Sequence, residues 1–211
     1  MDDLLIYSGY LVLLINLILF LYSFFREEKA NVFLISYLVF LVIIQSLIEC
    51  LYHLHVGNLL LINIFFIGQM ILLGLFYESI FKIKKQRMFA KFSLAAALLI
   101  LIIQLLIDSD QFFKFNLLEI TITSLVIMIL ALIHFYNMLV SYKEYYYFTI
   151  GLICYLLSST VIYLVGNLTL GLSNDFKYLS WRFNAFLVLL YYLFILYEWK
   201  ISFSKRIEEK K

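Results

Sequence analysis

A carboxylate, an amide and two imidazoles lie close together in one otherwise apolar stretch of the chain, between Ile44 and His55. Gln45, Glu49 and His53 follow one another at intervals of four residues, which places them on one face of a helix. An ionised carboxylate inside a bilayer costs several kcal/mol unless it is paired. Glu49 therefore requires a partner elsewhere in the chain.

Other apolar segments supply polar residues that we expect at a similar depth. They are Asn63, Gln69, Glu119, Arg182 and Asn184. Because a guanidinium group binds a carboxylate through two hydrogen bonds, we expect Arg182 to pair with Glu49 or Glu119. Two interpretations of these eight residues are open. The amides either hold helices together, at about 1 kcal/mol each, or line a cavity that binds a small ligand or ion.

Metal binding and catalysis are not favoured by the sequence. His53 and His55 point to different sides of a helix, and His134 lies deep in another apolar segment, so the three histidines cannot share one ion. Enzyme motifs such as His-Glu-x-x-His, Gly-x-Ser-x-Gly and the phosphate loop are absent from the sequence. We therefore assign no catalytic residue, no metal and no cofactor.

The composition is that of a polytopic membrane protein. The chain is 65% hydrophobic and 14% charged, with a mean hydropathy of +1.00, whereas soluble domains have about 25% charged residues. This excludes a soluble enzyme or a nucleic-acid-binding domain. The acidic start, Asp2 and Asp3, does not resemble a signal peptide, so we expect the first helix to be retained.

Seven apolar segments, each near the roughly 20 residues needed to cross a bilayer, organise the chain. They cover residues 4–25, 32–54, 59–81, 89–107, 117–142, 146–168 and 178–203. We predict an all-α fold, with one seven-helix transmembrane domain over residues 1–203 and a short basic cytoplasmic tail over 204–211. Proline is absent, which disfavours a transporter built on broken helices.

Lys and Arg in the loops predict the orientation, because cytoplasmic loops are enriched in these residues. With the N-terminus outside and the C-terminus inside, thirteen of the 16 cations are cytoplasmic, and only Lys114, Lys177 and Arg182 are external. Glu49 then lies roughly 25 Å above the inner start of its helix. The predicted polar residues therefore lie at similar depth, in the outer half of the membrane. The lipid bilayer is the expected environment of the chain.

The last helix continues into a polar segment that begins at Glu198 and ends at Lys211. Phe203 and Ile207 are four residues apart, so a short amphipathic extension into the cytoplasm is one interpretation, and it would lie on anionic lipid or meet a partner helix. A basic tail that fixes the orientation is the other.

Seven helices, short loops, the charged turn Arg26-Glu27-Glu28-Lys29 and this helical exit resemble the seven-helix membrane sensory regions of bacterial histidine kinases. The resemblance is one of layout, and it implies a sensory function with output through the last helix. Neither a phosphoacceptor domain nor an ATPase domain follows in the sequence, so we expect the chain to act through a separate cytoplasmic or membrane partner.

The leading hypothesis is a non-enzymatic sensor or accessory protein of a bacterial inner membrane that binds a small ligand or partner through the outer polar residues. A bacterial source is indicated by twelve Lys against four Arg, a bias typical of AT-rich genomes. A transporter or channel for a small solute or ion is the alternative. An intramembrane lipid-modifying enzyme is the second alternative.

Overall fold

The computed structural model describes residues 2–26, 30–140, 143–168 and 174–204, and this part of the chain is helical with short connections. A 3-10 helix, Ser109–Phe113, precedes α5, and a π-helical turn, Lys200–Ser204, follows α7. The α-helices are α1 Asp2–Phe25, α2 Val32–His53, α3 Leu59–Ile80, α4 Lys84–Ile107, α5 Leu117–Val140, α6 Tyr146–Leu168 and α7 Asn174–Trp199.

Each of these α-helices contains a stretch long and apolar enough to cross a membrane, which gives seven candidate spans within the described residues. The prediction of an all-α chain with seven such helices is confirmed. The seven spans indicate an integral membrane protein. The orientation of the chain stays a prediction.

The helix ends differ most from the sequence prediction at α4. Its first residue is Lys84, five residues before the predicted start, because Lys84, Lys85, Gln86 and Arg87 are good helix formers that continue the helix beyond its apolar part. The π-helical turn after Trp199 was also not predicted. Residues 27–29 and 205–211, which hold part of the predicted charged turn and most of the predicted tail, lie outside the described residues.

Contacts within the chain define two compact units, a division that the sequence does not predict. Unit 2 comprises residues 31–130. Its core is apolar and includes Leu38, Leu41, Met70, Leu73 and Phe76, all at most 1% exposed. Helices α3 and α4 approach closely, since a Cβ built on Gly74 would lie 2.5 Å from a methyl group of Leu94.

Unit 1 comprises residues 1–30 and 131–211, and its core lies between α1, α6 and α7. Tyr155 and Tyr191 stack with ring centroids 5.2 Å apart. A Cβ built on Gly151 would lie 2.5 Å from the Cβ of Phe194, so α6 and α7 pack almost backbone to backbone. The buried Asn16 of α1 donates to the carbonyl oxygen of Tyr192 (2.8 Å).

Helix α2 ends in a Schellman motif that positions the segment carrying Glu49 and His53. The N–H of Val56 donates to Leu51 O (3.0 Å), and the N–H of His55 donates to Tyr52 O (3.1 Å). His55 is the left-handed residue of the motif, with φ 56°, where glycine is usual. Gly57, two residues later, does not have a positive φ. His55 is thus part of the helix end.

We expect His55→Gly to raise the free energy of unfolding by about 1 kcal/mol, because glycine adopts the left-handed conformation without the penalty of a Cβ. Thermal unfolding of the purified protein in detergent would show a rise of roughly 2–4 °C. The control is Gly57→Ala, at which a new Cβ meets nothing within 4 Å. A lower melting temperature for His55→Gly would contradict the assignment.

Candidate functional site

The end of unit 2 at which α4 ends and α5 begins holds four largely buried polar side chains, of which two, Gln104 and Asn116, are joined to each other by a hydrogen bond. We call Asn63, Gln104, Asn116 and Glu119 the amide–carboxyl cluster. Asn63, Asn116 and Glu119 are at most 3% exposed, and Gln104 is half-buried. The four residues come from α3, α4 and the start of α5, so the cluster depends on three helices.

Asn116 is the centre of the cluster because it caps α5. Its Oδ1 accepts the backbone N–H of Glu119 (3.2 Å), the bond expected of an N-cap residue. Its carbonyl oxygen accepts the N–H of Ile120 (3.1 Å), which is the first bond of the helix. The same Oδ1 also accepts a hydrogen bond from Gln104 Nε2 (3.0 Å). Asn116 thereby joins the end of α4 to the beginning of α5.

Asn63 holds the segment between α4 and α5 against α3. Its Nδ2 donates to the carbonyl oxygens of Phe112 (2.8 Å) and Lys114 (3.1 Å). A longer bond reaches the carbonyl oxygen of Gln111 (3.4 Å). The 3-10 helix has no buried residue of its own, and the hydrogen bonds of this amide tie it to α3.

Glu119 occupies the position at which a capping-box glutamate normally bonds back to the N-cap residue. Its Oε1 is instead buried and has no hydrogen-bond partner among the described residues. The hydroxyl of Thr123, one turn later, donates to the carbonyl oxygen of Glu119 (2.8 Å). Thr123 and Ser124 are also buried, so α5 turns a polar side inward at its first two turns.

Each member of the cluster keeps one buried atom without a hydrogen-bond partner among the described residues. These atoms are Asn63 Oδ1, Gln104 Oε1, Asn116 Nδ2 and Glu119 Oε1. An unpaired buried polar group costs about 1–3 kcal/mol. The four groups lie at one end of one unit, and each is a position at which a further hydrogen bond can form.

Gln69, two turns further along α3 than Asn63, is 2% exposed. Neither its Oε1 nor its Nε2 has a hydrogen-bond partner in the described part of the chain. The next turn of α3 buries Leu73 and Phe76. Gln69 is therefore the last buried polar side chain of α3, counted from Asn63, before an apolar layer begins.

Glu49 and His53 lie side by side on α2, as their spacing predicts. Glu49 Oε1 and His53 Nε2 are 3.2 Å apart, with side-chain exposures of 27% and 64%. Gln45 is half-buried one turn earlier on the same helix. All three belong to unit 2.

Arg182 and Asn184 lie on α7, which belongs to unit 1. Asn184 forms a side-chain hydrogen bond with the Tyr163 hydroxyl of α6. The pairing of Arg182 with Glu49 or Glu119 stays a prediction. Of the eight residues predicted to line the site, Asn63 and Glu119 belong to the amide–carboxyl cluster.

Sequence reasoning did not select Gln104 or Asn116 for the site. The available signal was Asn116-x-x-Glu119 immediately before an apolar run, the pattern of a helix N-cap with an acid at the third position. Gln104 is the one amide in the second half of α4. The hydrogen bond between Gln104 and Asn116 depends on the path of the short connection between α4 and α5, which the sequence does not specify.

A second buried carboxylate, Glu198 of α7, organises the other unit. Its Oε2 accepts the backbone N–H groups of Tyr147 (2.8 Å) and Phe148 (3.3 Å), which begin α6. Its Oε1 accepts a hydrogen bond from Ser202 Oγ. Glu198 therefore caps α6 from a distant part of the chain, and both of its oxygens have partners.

Trp199 and Phe203 fix the same end of α7 to α1. The indole N–H of Trp199 donates to Leu19 O (3.0 Å) and Ser23 Oγ (2.8 Å). Phe203 is 4% exposed and packs edge-on against Phe20. The beginning of the predicted partner-binding segment is thus held inside unit 1, while its residues after 204 lie outside the described part.

The chemistry available at the amide–carboxyl cluster is hydrogen bonding. Three of its four unpartnered atoms are acceptors and one is a donor. The described residues contain no group of three or more His, Cys, Asp or Glu side chains that could hold a metal ion. The arrangement suits recognition of a small polar molecule.

Comparison of the chain with protein-family models, curated protein sequences and solved structures finds no match. The functional conclusion therefore rests on the contacts, burial and charge of this chain's own residues.

We expect Asn63→Asp to destabilise the protein by about 2–4 kcal/mol, because a carboxylate would face the carbonyl oxygens that now accept from Nδ2. Thermal unfolding would show a fall on the order of 5–10 °C. Asn58→Asp is the matched control, since Asn58 precedes α3 and makes no capping hydrogen bond through its side chain. Equal effects of the two substitutions would argue against the anchoring role of Asn63.

Glu198→Ala should lower the free energy of unfolding by about 2–4 kcal/mol, since two N–H groups of α6 would lose their buried acceptor. Glu198→Gln retains one acceptor oxygen and should lose less than half as much. Melting temperatures of the three proteins in one detergent measure both effects. If the two variants are equally stable, capping by the side-chain oxygen is not what holds α6 and α7 together.

Proposed function

We propose that this chain is a non-enzymatic integral membrane sensor of a bacterial inner membrane, and that the amide–carboxyl cluster binds its small polar ligand. The observation that carries the proposal is the set of four buried, unpartnered polar atoms on Asn63, Gln104, Asn116 and Glu119. A protein that used these residues only to join helices would gain stability by pairing or removing them. A ligand that completes their hydrogen bonds explains why they remain.

The ligand would change the position of the segment between α4 and α5. The unpartnered atoms are covered in this structure, so a molecule reaches them only after this segment moves. Phe113 and Lys114 at its end are exposed, and the anchor to α3 is the amide of Asn63. Binding would stabilise the open position through contacts that the closed position lacks, which is the requirement for a ligand-driven switch.

Helix α5 offers a route along which such a movement travels. The helix follows Asn116 directly, contains Glu119 in its first turn and continues without a break to Val140. Near its other end, His134 hydrogen-bonds with the carbonyl oxygen of Glu144 (2.8 Å), in the connection that precedes α6. Because Glu198 caps α6, a displacement of α5 would reach the residues that hold the end of α7. The signalling partner would contact the segment from Glu198 to Lys211.

A sensor fits unit 2 better than a channel does. The apolar layer formed by Leu38, Leu41, Leu73 and Phe76 is at most 1% exposed and lies beyond the polar end of the unit. An ion or solute that entered at the amide–carboxyl cluster would meet this layer before the opposite end. A polar end closed by an apolar layer is typical of a binding site.

Transport of a small solute is the second candidate, because of Gln69. Its two unpartnered amide atoms extend the polar positions roughly 9 Å deeper along α3 than Asn63. In a transporter this amide would be the next position that the solute occupies. Measured flux is the property that separates the two candidates.

We expect a screen of amino acids, amines, sugars and nucleosides to yield a compound that raises the melting temperature of the purified protein. At about 100 times its Kd, such a compound contributes about 2.7 kcal/mol, or roughly 5–10 °C. The increase should disappear in Glu119→Gln and persist in Glu78→Gln, whose carboxylate pairs with Lys91 (3.5 Å). Reconstituted liposomes should not accumulate the radiolabelled compound.

If liposomes accumulate the compound, and if this accumulation is lost in Glu119→Gln, the protein is a transporter and the sensor proposal is wrong. Stabilisation that survives Glu119→Gln would place the binding site elsewhere in the chain.

A further inference from the structure

The unpartnered atoms of the amide–carboxyl cluster have chemical identities that their other hydrogen bonds determine. The oxygen and nitrogen of an amide side chain are hard to distinguish by shape, so each orientation has to be assigned from its partners. Backbone groups are the best reference, because an N–H only donates and a carbonyl oxygen only accepts. Here, backbone groups fix the orientation of Asn116 and Asn63 directly.

Asn116 must present its oxygen to Glu119 N, since that backbone group can only donate. The same oxygen is the partner of Gln104, so Gln104 has to use its nitrogen. What remains free is Asn116 Nδ2, which is a donor, and Gln104 Oε1, which is an acceptor.

Asn63 must present its nitrogen to the carbonyl oxygens of Phe112 and Lys114, because these can only accept. Its Oδ1 is therefore left as an acceptor. Glu119 Oε1 is a third free oxygen. The cluster consequently presents three acceptors, from α3, α4 and α5, and one donor.

The charges at this end of unit 2 are mainly negative. Glu119 is the buried acid, and Asp108 and Asp110 lie in the connection between α4 and α5. The nearby cation is Lys114, which is exposed and pairs with Asp110 at 4.0 Å. A buried carboxylate without an opposite charge is costly, and a cation placed beside it offsets part of that cost.

We propose that the ligand of the cluster carries a primary ammonium group next to an oxygen atom, as in an amino alcohol or an aminophospholipid headgroup. This rests on the function proposed above. The three N–H bonds of the ammonium group equal in number the three free oxygens of Asn63, Gln104 and Glu119, which lie at the same end of unit 2. Its positive charge offsets that of the carboxylate, and Asn116 Nδ2 donates to the neighbouring oxygen of the ligand.

A quaternary ammonium group does not fit this set. It has the same charge, but it has no N–H to donate and its three methyl groups would cover the free oxygens. Ethanolamine and choline therefore form a matched pair of probes, since they differ only in N-methylation. Phosphatidylethanolamine and phosphatidylcholine form the same pair among lipids.

The first experiment measures binding of the free probes to the full chain in detergent by thermal unfolding. Ethanolamine should bind at least roughly tenfold more tightly than choline, the loss expected for one hydrogen bond to a charged group. Glu119→Gln should weaken the binding of both probes, because the negative charge is lost, and Glu78→Gln should leave the binding of both unchanged. Gln104→Met is a second variant, which removes one of the three oxygens and should weaken ethanolamine binding even if Glu119→Gln does not fold.

The second experiment distinguishes the two sources of the ammonium group. The protein is placed in nanodiscs of phosphatidylethanolamine and phosphatidylglycerol, or of phosphatidylcholine and phosphatidylglycerol, and its melting temperature is compared. A higher value with phosphatidylethanolamine that depends on Glu119 identifies a lipid headgroup. A response only to free ethanolamine identifies a soluble amine.

Equal responses to the methylated and unmethylated probes, or no response to either, overturn the inference. The proposed sensor survives that result if another compound in the screen binds in a manner that requires Glu119. If no compound binds, the proposed function fails as well.

Discussion

A buried polar group without a hydrogen-bond partner is costly among apolar side chains, and this cost determines how helices are joined within each unit. In a bilayer no water is present to replace a missing hydrogen bond, so backbone and side-chain groups must satisfy each other. Asn116 meets the requirement by capping α5 and accepting from Gln104. Glu198 meets it by capping α6. Asn116 therefore joins α4 to α5 in unit 2. Glu198 of α7 joins its own helix to α6 in unit 1.

The helices were predictable because their signal is local. A run of about 20 apolar residues between charged turns defines a span without knowledge of its neighbours, and α2, α3, α5 and α6 begin at the predicted residues. The start of α4 was not predictable from hydropathy, since Lys84 to Arg87 are polar and yet helical. The left-handed conformation of His55 was not predictable either, because sequence rules place glycine at such a position and would have selected the nearby Gly57.

The candidate site was predictable only in part, because its geometry depends on the connection between α4 and α5. The spacing of Glu49 and His53 on one helix was enough to predict that they are neighbours. Asn63 and Glu119 were recognised as polar residues inside apolar helices. Asn116 was not, because an asparagine before a helix is usually read as a cap and nothing more. No local pattern indicates that Gln104 reaches it, or that Asn63 holds the intervening segment.

Glu119 and Glu198 show that burial by itself does not distinguish a carboxylate whose hydrogen bonds are complete from one that can still accept a hydrogen bond. Both are at most 2% exposed, and both lie beside the first turn of a helix. Glu198 uses one oxygen for two backbone N–H groups and the other for Ser202, so any ligand would have to displace existing bonds. Within the part of the chain that the structure describes, Glu119 leaves Oε1 without a partner although the N-cap residue is three positions away. The number of hydrogen bonds that remain to be made, not the exposure of the carboxylate, is what marks Glu119 as a residue available to another molecule.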